Sequence, residues 1–410
     1  MKQIYVYWDD VQTESPIAVG TLFADSIRGK EVFSFEFDGG WLKQNICRHL
    51  DPDLQFFSGP QYVSAKKANF GIFTDSCPDR WGRVLIERRE SIRAKEEGRG
   101  RKTLSESDFL LCVHDLTRMG ALRFKTEVDG PFLDDDPLYA APPLSSLGAL
   151  QEASWHLEEE NDADMQKWLR MLIAPGSSLG GARPKVNIRK PDGTLWIAKF
   201  PSRNDRINVG AWEAVAMTMA HLCGIEVAPF EVVHYGKHTT FVTRRFDRNE
   251  QGKRIHFTSA MSMLGYADGH TEGSSYLEIA EWINRYSMQV AADMQQMWRR
   301  IVYNIAISNC DDHLRNHGFL LNNKGWRLSP AYDLNPSYFG GGLSLNITED
   351  DNSLDMSLAI EVAPFFGVSA QEAERIISEV RKVVSNWRKI ATRFGIAREE
   401  QEMMAPAFRY

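Results

Sequence analysis

Apolar and polar residues alternate along much of the first forty positions. Short alternating runs occur at Ile4–Trp8, Ala18–Phe23 and Val32–Phe37, separated by turn-forming residues. A fourth run follows at Gly120–Phe124. Alternation of this kind is typical of strands that bury one face. The pattern therefore predicts a small antiparallel sheet within a β-rich N-terminal subdomain, over residues 1–128.

A segment rich in Asp, Pro and Ser at 129–146 has the composition of a linker, so a boundary is expected there. Beyond this segment, runs with strand-like alternation and runs with helical periodicity follow one another. We predict a second region over residues 147–248. Its expected elements are helices at Leu147–Glu159, Ala163–Ile173 and Asn208–Leu222, and hairpins pairing Val186–Arg189 with Leu195–Phe200 and Phe230–Tyr235 with Thr239–Arg244.

Helical periodicity dominates the third region, residues 249–410. Helices are expected at Tyr276–Tyr286 and Ala291–Ser308, and a single terminal helix at Ser369–Arg393. Between them, Gly318–Leu321 and Trp326–Leu328 form a predicted hairpin.

Composition narrows the class of protein. A chain of 410 residues is too long for one compact core. Its net charge of −7 argues against binding nucleic acid alone. The five cysteines are scattered and form no C-x-x-C pair, which suggests a reducing compartment. The N-terminus lacks a signal-peptide core, and no apolar run approaches a membrane span of about 20 residues. We therefore expect a cytoplasmic protein without membrane association.

The stretch from Asn309 to Asn335 carries the strongest chemical signal. Asp311 and Asn316 have the spacing D-x-x-x-x-N, and the predicted hairpin then leads to Asp333. In protein kinases this spacing joins the catalytic Asp to a metal-binding Asn, and a second metal-binding Asp follows. Asp312 is expected to matter far less than Asp311. The surrounding letters depart from the kinase pattern, since Asn-Cys replaces His-Arg and Asp-Leu-Asn replaces Asp-Phe-Gly.

Two other interpretations of this stretch remain open. Asp and Asn are common turn and cap residues, so each member of the trio could be structural. His313 and His317 are spaced so that they would share a helix face, as zinc ligands do. No Glu lies between them in an H-E-x-x-H pattern, which weakens the zinc alternative.

A second candidate stretch is the Gly-rich segment at 175–185, P-G-S-S-L-G-G-A-R-P-K. Glycines let a backbone approach phosphates, although the segment could equally be a plain turn. Lys199 follows in the second strand of the predicted hairpin, where a kinase places its phosphate-binding lysine. Glu213 could pair with Lys199 or could be a surface charge, and Asp205 could cap or contact this region.

Several motifs together resemble the HipA family, bacterial serine/threonine kinases of toxin–antitoxin modules. The resemblance covers nearly the whole chain. Its most specific parts are G-G-A-R-P-K, R-R-F-D-R, N-C-D-D-H-L-R-N-H and A-Y-D-L-N. It implies an α+β, bilobal, protein-kinase-like fold with an N-terminal β-rich subdomain and a mainly helical C-terminal lobe.

The resemblance also implies an ATP site with magnesium. Asp311 is the expected catalytic base, Asn316 and Asp333 the magnesium ligands, and Lys199 a phosphate ligand. The main chain at Arg244 and Phe246 is expected to hold the adenine, with Asp247 a weaker nucleotide-site candidate. The loop expected to cover the nucleotide contains Ser178, Leu179, Gly180, Gly181 and Ala182.

Regulation and partners are likewise implied by the resemblance. Ser178, or the adjacent Ser177, aligns with a serine that becomes autophosphorylated and silences the enzyme. The implied partner is a DNA-binding, HipB-like antitoxin, through which DNA is bound only indirectly. The implied target is a translation-related protein such as an aminoacyl-tRNA synthetase. Two alternatives stay open, a non-catalytic pseudokinase that acts as a co-repressor with the antitoxin, and a small-molecule kinase of the same fold.

Overall fold

The computed structural model describes residues 1–44, 46–64, 66–133, 141–158, 167–169, 171–172, 181, 183–236 and 238–410. These residues form two compact units. The first comprises Met1–Arg203, Asp247–Thr258 and Gly265–Asp268, and the second comprises Asn204–Phe246, Ser259–Leu264 and Gly269–Tyr410. The helix predicted at Ala163–Ile173 lies partly outside the described residues. Within the described residues, no helix is long and apolar enough to cross a membrane.

The first unit begins with an antiparallel sheet of five strands in the order β4-β3-β2-β1-β5. Four of the strands follow the alternation seen in the sequence, whereas β4 is only a short pairing at the edge. The strands are β1 (Lys2–Trp8), β2 (Ile17–Ile27), β3 (Lys30–Phe37), β4 (Gln61–Tyr62) and β5 (Leu122–Lys125).

Alternate residues of these strands form the core of the sheet. Ile4, Val6 and Trp8 of β1 are all almost fully buried, as are Phe33 and Phe35 of β3. Burying one such side chain contributes about 1.5–3 kcal/mol, so the alternation fixes which face of the sheet turns inward.

Besides the helical residues 167–169 and 171–172, the first unit contains four α-helices and one further hairpin among its described residues. They are α1 (Gly71–Thr74), α2 (Arg80–Glu96), α3 (Glu106–Leu111), α4 (Leu147–Glu158), β6 (Lys185–Arg189) and β7 (Leu195–Lys199). The sequence explains the start of two helices. The Asp79 side chain accepts a hydrogen bond from the Gly82 amide and caps α2. Ser105 and Asp108 form a capping box at α3.

The second unit is mainly helical. Its first part contains α5 (Val209–Leu222) and the hairpin β8 (Phe230–Tyr235) with β9 (His238–Arg244). Strand β10 (His256–Ser259) runs across the sequence boundary between the units. The rest comprises α6 (Ala260–Met263), α7 (Tyr276–Tyr286), α8 (Val290–Ala306), β11 (Gly318–Asn322), β12 (Gly325–Leu328), α9 (Met356–Val362), α10 (Ala370–Val384), α11 (Trp387–Arg393) and α12 (Arg398–Met404).

The single terminal helix predicted at Ser369–Arg393 is wrong, because the structure breaks it into α10 and α11. At the break, the Ser385 hydroxyl and the Asn386 side-chain amide both donate to the Lys382 carbonyl. Ser and Asn side chains compete with the backbone for such carbonyls, which favours an end to the helix.

Candidate active site

The candidate catalytic loop begins where α8 ends. Ser308 has a left-handed backbone with φ of +49°, a conformation that costs energy in a residue other than glycine. Its carbonyl accepts hydrogen bonds from the Cys310 amide at 2.8 Å and the Ser337 amide at 3.1 Å. The turn therefore directs the chain from a buried helix straight into the segment carrying Asp311.

Asp311 and Asn316 are joined by a hydrogen bond. The Asn316 side-chain Nδ2 donates to the Asp311 carbonyl oxygen at 3.0 Å, across a short 3₁₀ turn at Leu314–Asn316. The Asp311 side chain is exposed, whereas Asn316 is buried. Because Nδ2 is used as the donor, Oδ1 is the Asn316 atom suited to accept from or ligate another group.

Asp333 comes after the hairpin of β11 and β12, and its preceding residue touches the catalytic loop. The Tyr332 hydroxyl donates to the Arg315 carbonyl at 2.6 Å, so the residues before Asp333 and Asn316 are in contact. Asp333 is half-buried and has a left-handed φ of +60°. An Asp carboxylate and an Asn carbonyl on adjacent segments are hard oxygen donors, which fits a magnesium ion.

The buried carboxylate of Asp312 links the candidate catalytic loop to the elements around it. Its Oδ2 accepts hydrogen bonds from the Tyr276 hydroxyl at 2.5 Å, from Asn304 Nδ2 at 2.8 Å and from His317 Nε2 at 2.8 Å. The donors come from α7, α8 and the residue before β11. The expectation that Asp312 matters little did not foresee this network, which fixes the backbone beside Asp311.

Burial shifts the pKa values of Tyr276 and Arg300, two groups near Asp312. Burial, and then the neighbouring Asp312 carboxylate, raise the pKa of Tyr276 well above its ordinary value, so the hydroxyl remains a neutral donor. Burial lowers the pKa of Arg300 to about 10, although the Asp312 charge opposes that shift. Arg300 is therefore still cationic at neutral pH, and its Nη2 donates to the Ser329 carbonyl at 2.5 Å.

The zinc alternative rested on His313 and His317 sharing a helix face, and that expectation is wrong. Both residues have extended backbones on either side of the short 3₁₀ turn. His317 instead donates to Asp312. Across the part of the chain that the structure describes, no cluster of three or more His, Cys, Asp or Glu residues could hold a metal ion.

Lys199 lies at the end of β7, as the alternation predicted. Its neighbours Ala198 and Phe200 are buried, and Lys199 itself is half-buried. Glu213 of α5 is only 2 % exposed, which overturns the surface-charge alternative. Lys199 belongs to the first unit and Glu213 to the second, and their pairing stays a prediction. Asp205 is half-buried.

The expected adenine-binding residues lie at and after the end of β9. The Arg244 amide already donates to the Pro229 carbonyl at 2.8 Å, so its carbonyl is the group suited to a ligand. The Phe246 ring contacts the Tyr332 ring, with 5.4 Å between centroids. Through Tyr332, this segment therefore joins the loops that carry Asn316 and Asp333.

The Asp247 carboxylate is buried and hydrogen-bonded within the first unit. It is 1 % exposed, and its Oδ2 accepts hydrogen bonds from the Gly120 amide at 2.9 Å and from Arg248 Nη1 at 2.6 Å. These contacts give Asp247 a structural role, and its contact with a nucleotide stays a prediction.

Most of the Gly-rich loop lies outside the described residues, including Ser177, Ser178, Leu179, Gly180 and Ala182. Gly181 is described. It is exposed and has φ of +100°, which L side chains rarely adopt, and a Cβ there would lie 3.0 Å from Lys185 Nζ. The positive φ therefore favours glycine at this position, and a larger residue would also need the Lys185 ammonium to shift by a few tenths of an ångström.

Comparisons with known proteins identify the family and the fold. The profile of the HipA-like C-terminal domain matches residues 177–387. The serine/threonine-protein kinase toxin HipA of Shewanella oneidensis is 24 % identical over 269 residues, covering 57 % of this chain and 59 % of that protein. A putative kinase of Sinorhizobium fredii, Y4mE, is 27 % identical over 180 residues, covering 38 % of this chain and 41 % of that protein. The matches thus span about half the length of these curated relatives.

A solved structure shares the fold. It is the Shewanella oneidensis HipA in complex with HipB and operator DNA, and the match has a TM-score of 0.67 at 17 % identity. It covers 98 % of this chain and 94 % of that one, which confirms the expected HipA-like α+β fold. Since the family profile matches half of the sequence, the chain belongs to the family of proteins with a HipA-like C-terminal domain.

Proposed function

We propose that this protein is an ATP-dependent serine/threonine protein kinase and the toxin of a type II toxin–antitoxin module. The single observation that carries the proposal is the hydrogen bond from Asn316 Nδ2 to the Asp311 carbonyl. It ties the buried Asn316 side chain to the main chain of Asp311, the two residues whose D-x-x-x-x-N spacing matches that of protein kinases.

Asp311 is the catalytic base in this proposal. Its carboxylate orients the acceptor hydroxyl and takes its proton as the hydroxyl oxygen attacks the γ-phosphorus of ATP. The bond from that phosphorus to the bridging oxygen breaks, and ADP leaves. The exposure of Asp311 suits this role, because a protein substrate must reach it.

Asn316 and Asp333 are the residues suited to hold magnesium, through Asn316 Oδ1 and the Asp333 carboxylate. A bound magnesium ion would neutralise charge on the phosphates. The hydrogen bond from the Tyr332 hydroxyl to the Arg315 carbonyl supports this role, because it joins the segment that carries Asp333 to the segment that carries Asn316.

The remaining nucleotide contacts follow the family's pattern. Lys199 binds a phosphate, and the backbone at Arg244 and Phe246 holds the adenine. The Gly-rich loop covers the phosphates, and autophosphorylation at Ser178, or at the adjacent Ser177, silences the enzyme. A phosphoserine carries nearly two negative charges, which would repel ATP phosphates from that loop.

A small DNA-binding antitoxin is the proposed partner. The related Shewanella protein was solved with HipB and operator DNA, and the net charge of −7 argues against DNA binding by this chain alone. The proposed target is a translation-related protein such as an aminoacyl-tRNA synthetase.

The test is incubation of the purified protein with γ-labelled ATP and host lysate. We expect labelling of a protein band, and Asp311→Asn should reduce it about 10²–10⁴-fold, the usual contribution of a positioned base. Asp350→Asn is the matched control, because Asp350 is an exposed acid in the same unit. Mass spectrometry should find phosphate on Ser178 or Ser177 in the wild type and none in Asp311→Asn.

The outcomes separate the alternatives. No ATP turnover by a folded wild-type protein would favour the pseudokinase. Labelling of a metabolite and not of a protein would favour a small-molecule kinase. Normal transfer by a folded Asp311→Asn protein would remove Asp311 from the mechanism.

A further inference from the structure

The turn that leads from α8 into the candidate catalytic loop is held by a residue distant in sequence. Arg409 Nε donates to the Ser308 hydroxyl at 3.0 Å, and the Arg409 amide donates to the Ala306 carbonyl at 2.8 Å. Ser308 is almost fully buried and has a left-handed φ of +49°, whereas Arg409 is exposed. All three residues belong to the second unit. Two contacts from one residue therefore converge on a strained turn just before Asp311.

The carboxyl end of α8 lacks partners of its own. The last carbonyls of a helix have no donor within that helix, and the helix dipole gives this end a partial negative charge. The last turn of α8 contains no basic residue. Arg409 supplies both kinds of partner, an amide for the Ala306 carbonyl and a guanidinium beside Ser308.

Aromatic packing fixes the position of Arg409. The preceding residue, Phe408, is buried, and its ring stacks on the Trp387 ring of α11 with 4.3 Å between centroids. The Phe408 ring also lies 5.9 Å from the Trp212 ring of α5. Trp212 Nε1 in turn donates to Glu400 Oε1 of α12 at 2.8 Å. Arg409 therefore extends from a packed cluster that joins α5, α11 and α12.

The influence of Arg409 reaches the residue next to Asp311. The Ser308 carbonyl accepts from the Cys310 amide at 2.8 Å, so a shift of Ser308 is transmitted to the backbone of Cys310. Burial raises the pKa of the Cys310 thiol, and the Arg409 charge opposes that rise. The guanidinium is thus close enough to act electrostatically on the residue that precedes Asp311.

We propose that Arg409 is a positioning residue for Asp311. It acts through Ser308, whose left-handed conformation it stabilises, and so fixes the direction in which the backbone enters the candidate catalytic loop. This inference rests on the proposed kinase function, in which the Asp311 carboxylate takes a proton from the acceptor hydroxyl. It assigns Arg409 no contact with the substrate.

The test uses Arg409→Ala, Arg409→Lys, Ser308→Ala and the double variant Arg409→Ala/Ser308→Ala. Arg409→Ala removes the guanidinium but keeps the amide that bonds to Ala306, and Ser308→Ala removes the hydroxyl acceptor. Arg398→Ala is the matched control, because Arg398 belongs to the same unit and its side chain is 93 % exposed. The readouts are kcat and KM for ATP, measured well below the thermal midpoint of each variant, and hydrogen exchange of the amides at 309–312.

Arg409→Ala should lower kcat about 10–100-fold, the scale of loss when a reacting group is misplaced by about 1 Å. KM for ATP should change far less, because the lost contact aligns the base and does not bind the nucleotide. Arg409→Lys should keep more activity than Arg409→Ala, since it retains the charge and a donor.

The double variant should be no slower than Arg409→Ala, as expected when both changes break one contact. Exchange at 309–312 should be faster in Arg409→Ala and in Ser308→Ala, because the turn opens more readily without the contact. Arg398→Ala should match the wild type in every readout.

A folded Arg409→Ala protein with wild-type kcat would overturn the inference, and a lower thermal midpoint with unchanged kcat would make the contact purely structural. Losses of kcat that add up in the double variant would show that Arg409 does not act through Ser308. Wild-type protein that transfers no phosphate would overturn the proposed function itself. Hydrogen exchange would then still test the contact, and exchange unchanged by Arg409→Ala would overturn the inference as well.

Discussion

Replacing Asp312 with Ala tests whether the buried network supports the candidate catalytic loop. The change removes the oxygen that accepts from Tyr276, Asn304 and His317. All three donors are buried, so water cannot easily replace the acceptor. The substitution also removes a negative charge that stabilises the buried Arg300 guanidinium.

The expected magnitude follows from these contacts. A hydrogen bond to a charged group contributes about 1.5–3 kcal/mol, but three bonds to one oxygen are not additive. We therefore expect Asp312→Ala to cost about 3–5 kcal/mol, the usual loss when one partner of a buried charged group is removed. A domain of about 150–250 residues loses roughly 2–4 °C of thermal midpoint per kcal/mol, so the transition should fall by about 10 °C.

The assay is urea denaturation and thermal unfolding of the wild type, Asp312→Ala and Asp350→Ala. Asp350 is exposed in the same unit, and its Ala variant should stay within about 0.5 kcal/mol of the wild type. Asp312→Asn keeps an acceptor oxygen and should fall between the two. A loss below about 1 kcal/mol for Asp312→Ala would refute the reasoning, because it would mean that the three donors do not depend on this carboxylate.

Three further predictions concern metal, DNA and pH. Asp333→Ala should weaken ATP binding in magnesium but not in EDTA, and equal binding by the wild type in both conditions would exclude the assigned ligand role. In a gel-shift assay the isolated chain should not bind operator DNA tightly, whereas a small DNA-binding partner should produce a supershifted complex; tight, salt-sensitive binding by the chain alone would contradict this. Burial raises the pKa of Asp51 to about 6 from 3.8, so the folded protein binds the Asp51 proton more tightly than the unfolded chain does. The stabilisation that comes from this proton is complete below about pH 4 and is lost as the pH rises through about 6. The stability of the wild type relative to Asp51→Asn should thus fall by about 3 kcal/mol across that interval, and a pH-independent difference would exclude the shift.

Elements whose signals are local could be predicted from the sequence. The strands β1, β2 and β3 follow period-two alternation, and the hairpin of β11 and β12 follows from apolar runs around a turn. The spacing of Asp311, Asn316 and Asp333 is local too, and the structure places their segments in contact. The assigned roles of these residues stay predictions until transfer is measured.

Contacts between distant residues could not be predicted. Tyr276 and Asp312 are 36 positions apart, and Asp79 and Lys185 are 106 apart. An acid next to the expected base looks like an ordinary polar loop residue, and no periodicity indicates that its side chain turns inward. The hydrogen bonds that Asp247 accepts from Gly120 and Arg248 likewise carry no local signal.

The strained turn at Ser308 has a consequence for synthesis on the ribosome. Arg409 Nε donates to the Ser308 hydroxyl at 3.0 Å, and the Arg409 amide donates to the Ala306 carbonyl at 2.8 Å. Arg409 and Ser308 are 101 positions apart in the sequence. At translation rates of about 5–20 residues per second, Arg409 is made roughly 5–20 s after Ser308. A nascent chain therefore carries Asp311 for that time without the contacts that brace its turn, and completion of the candidate active site is delayed until the chain has been made through Arg409.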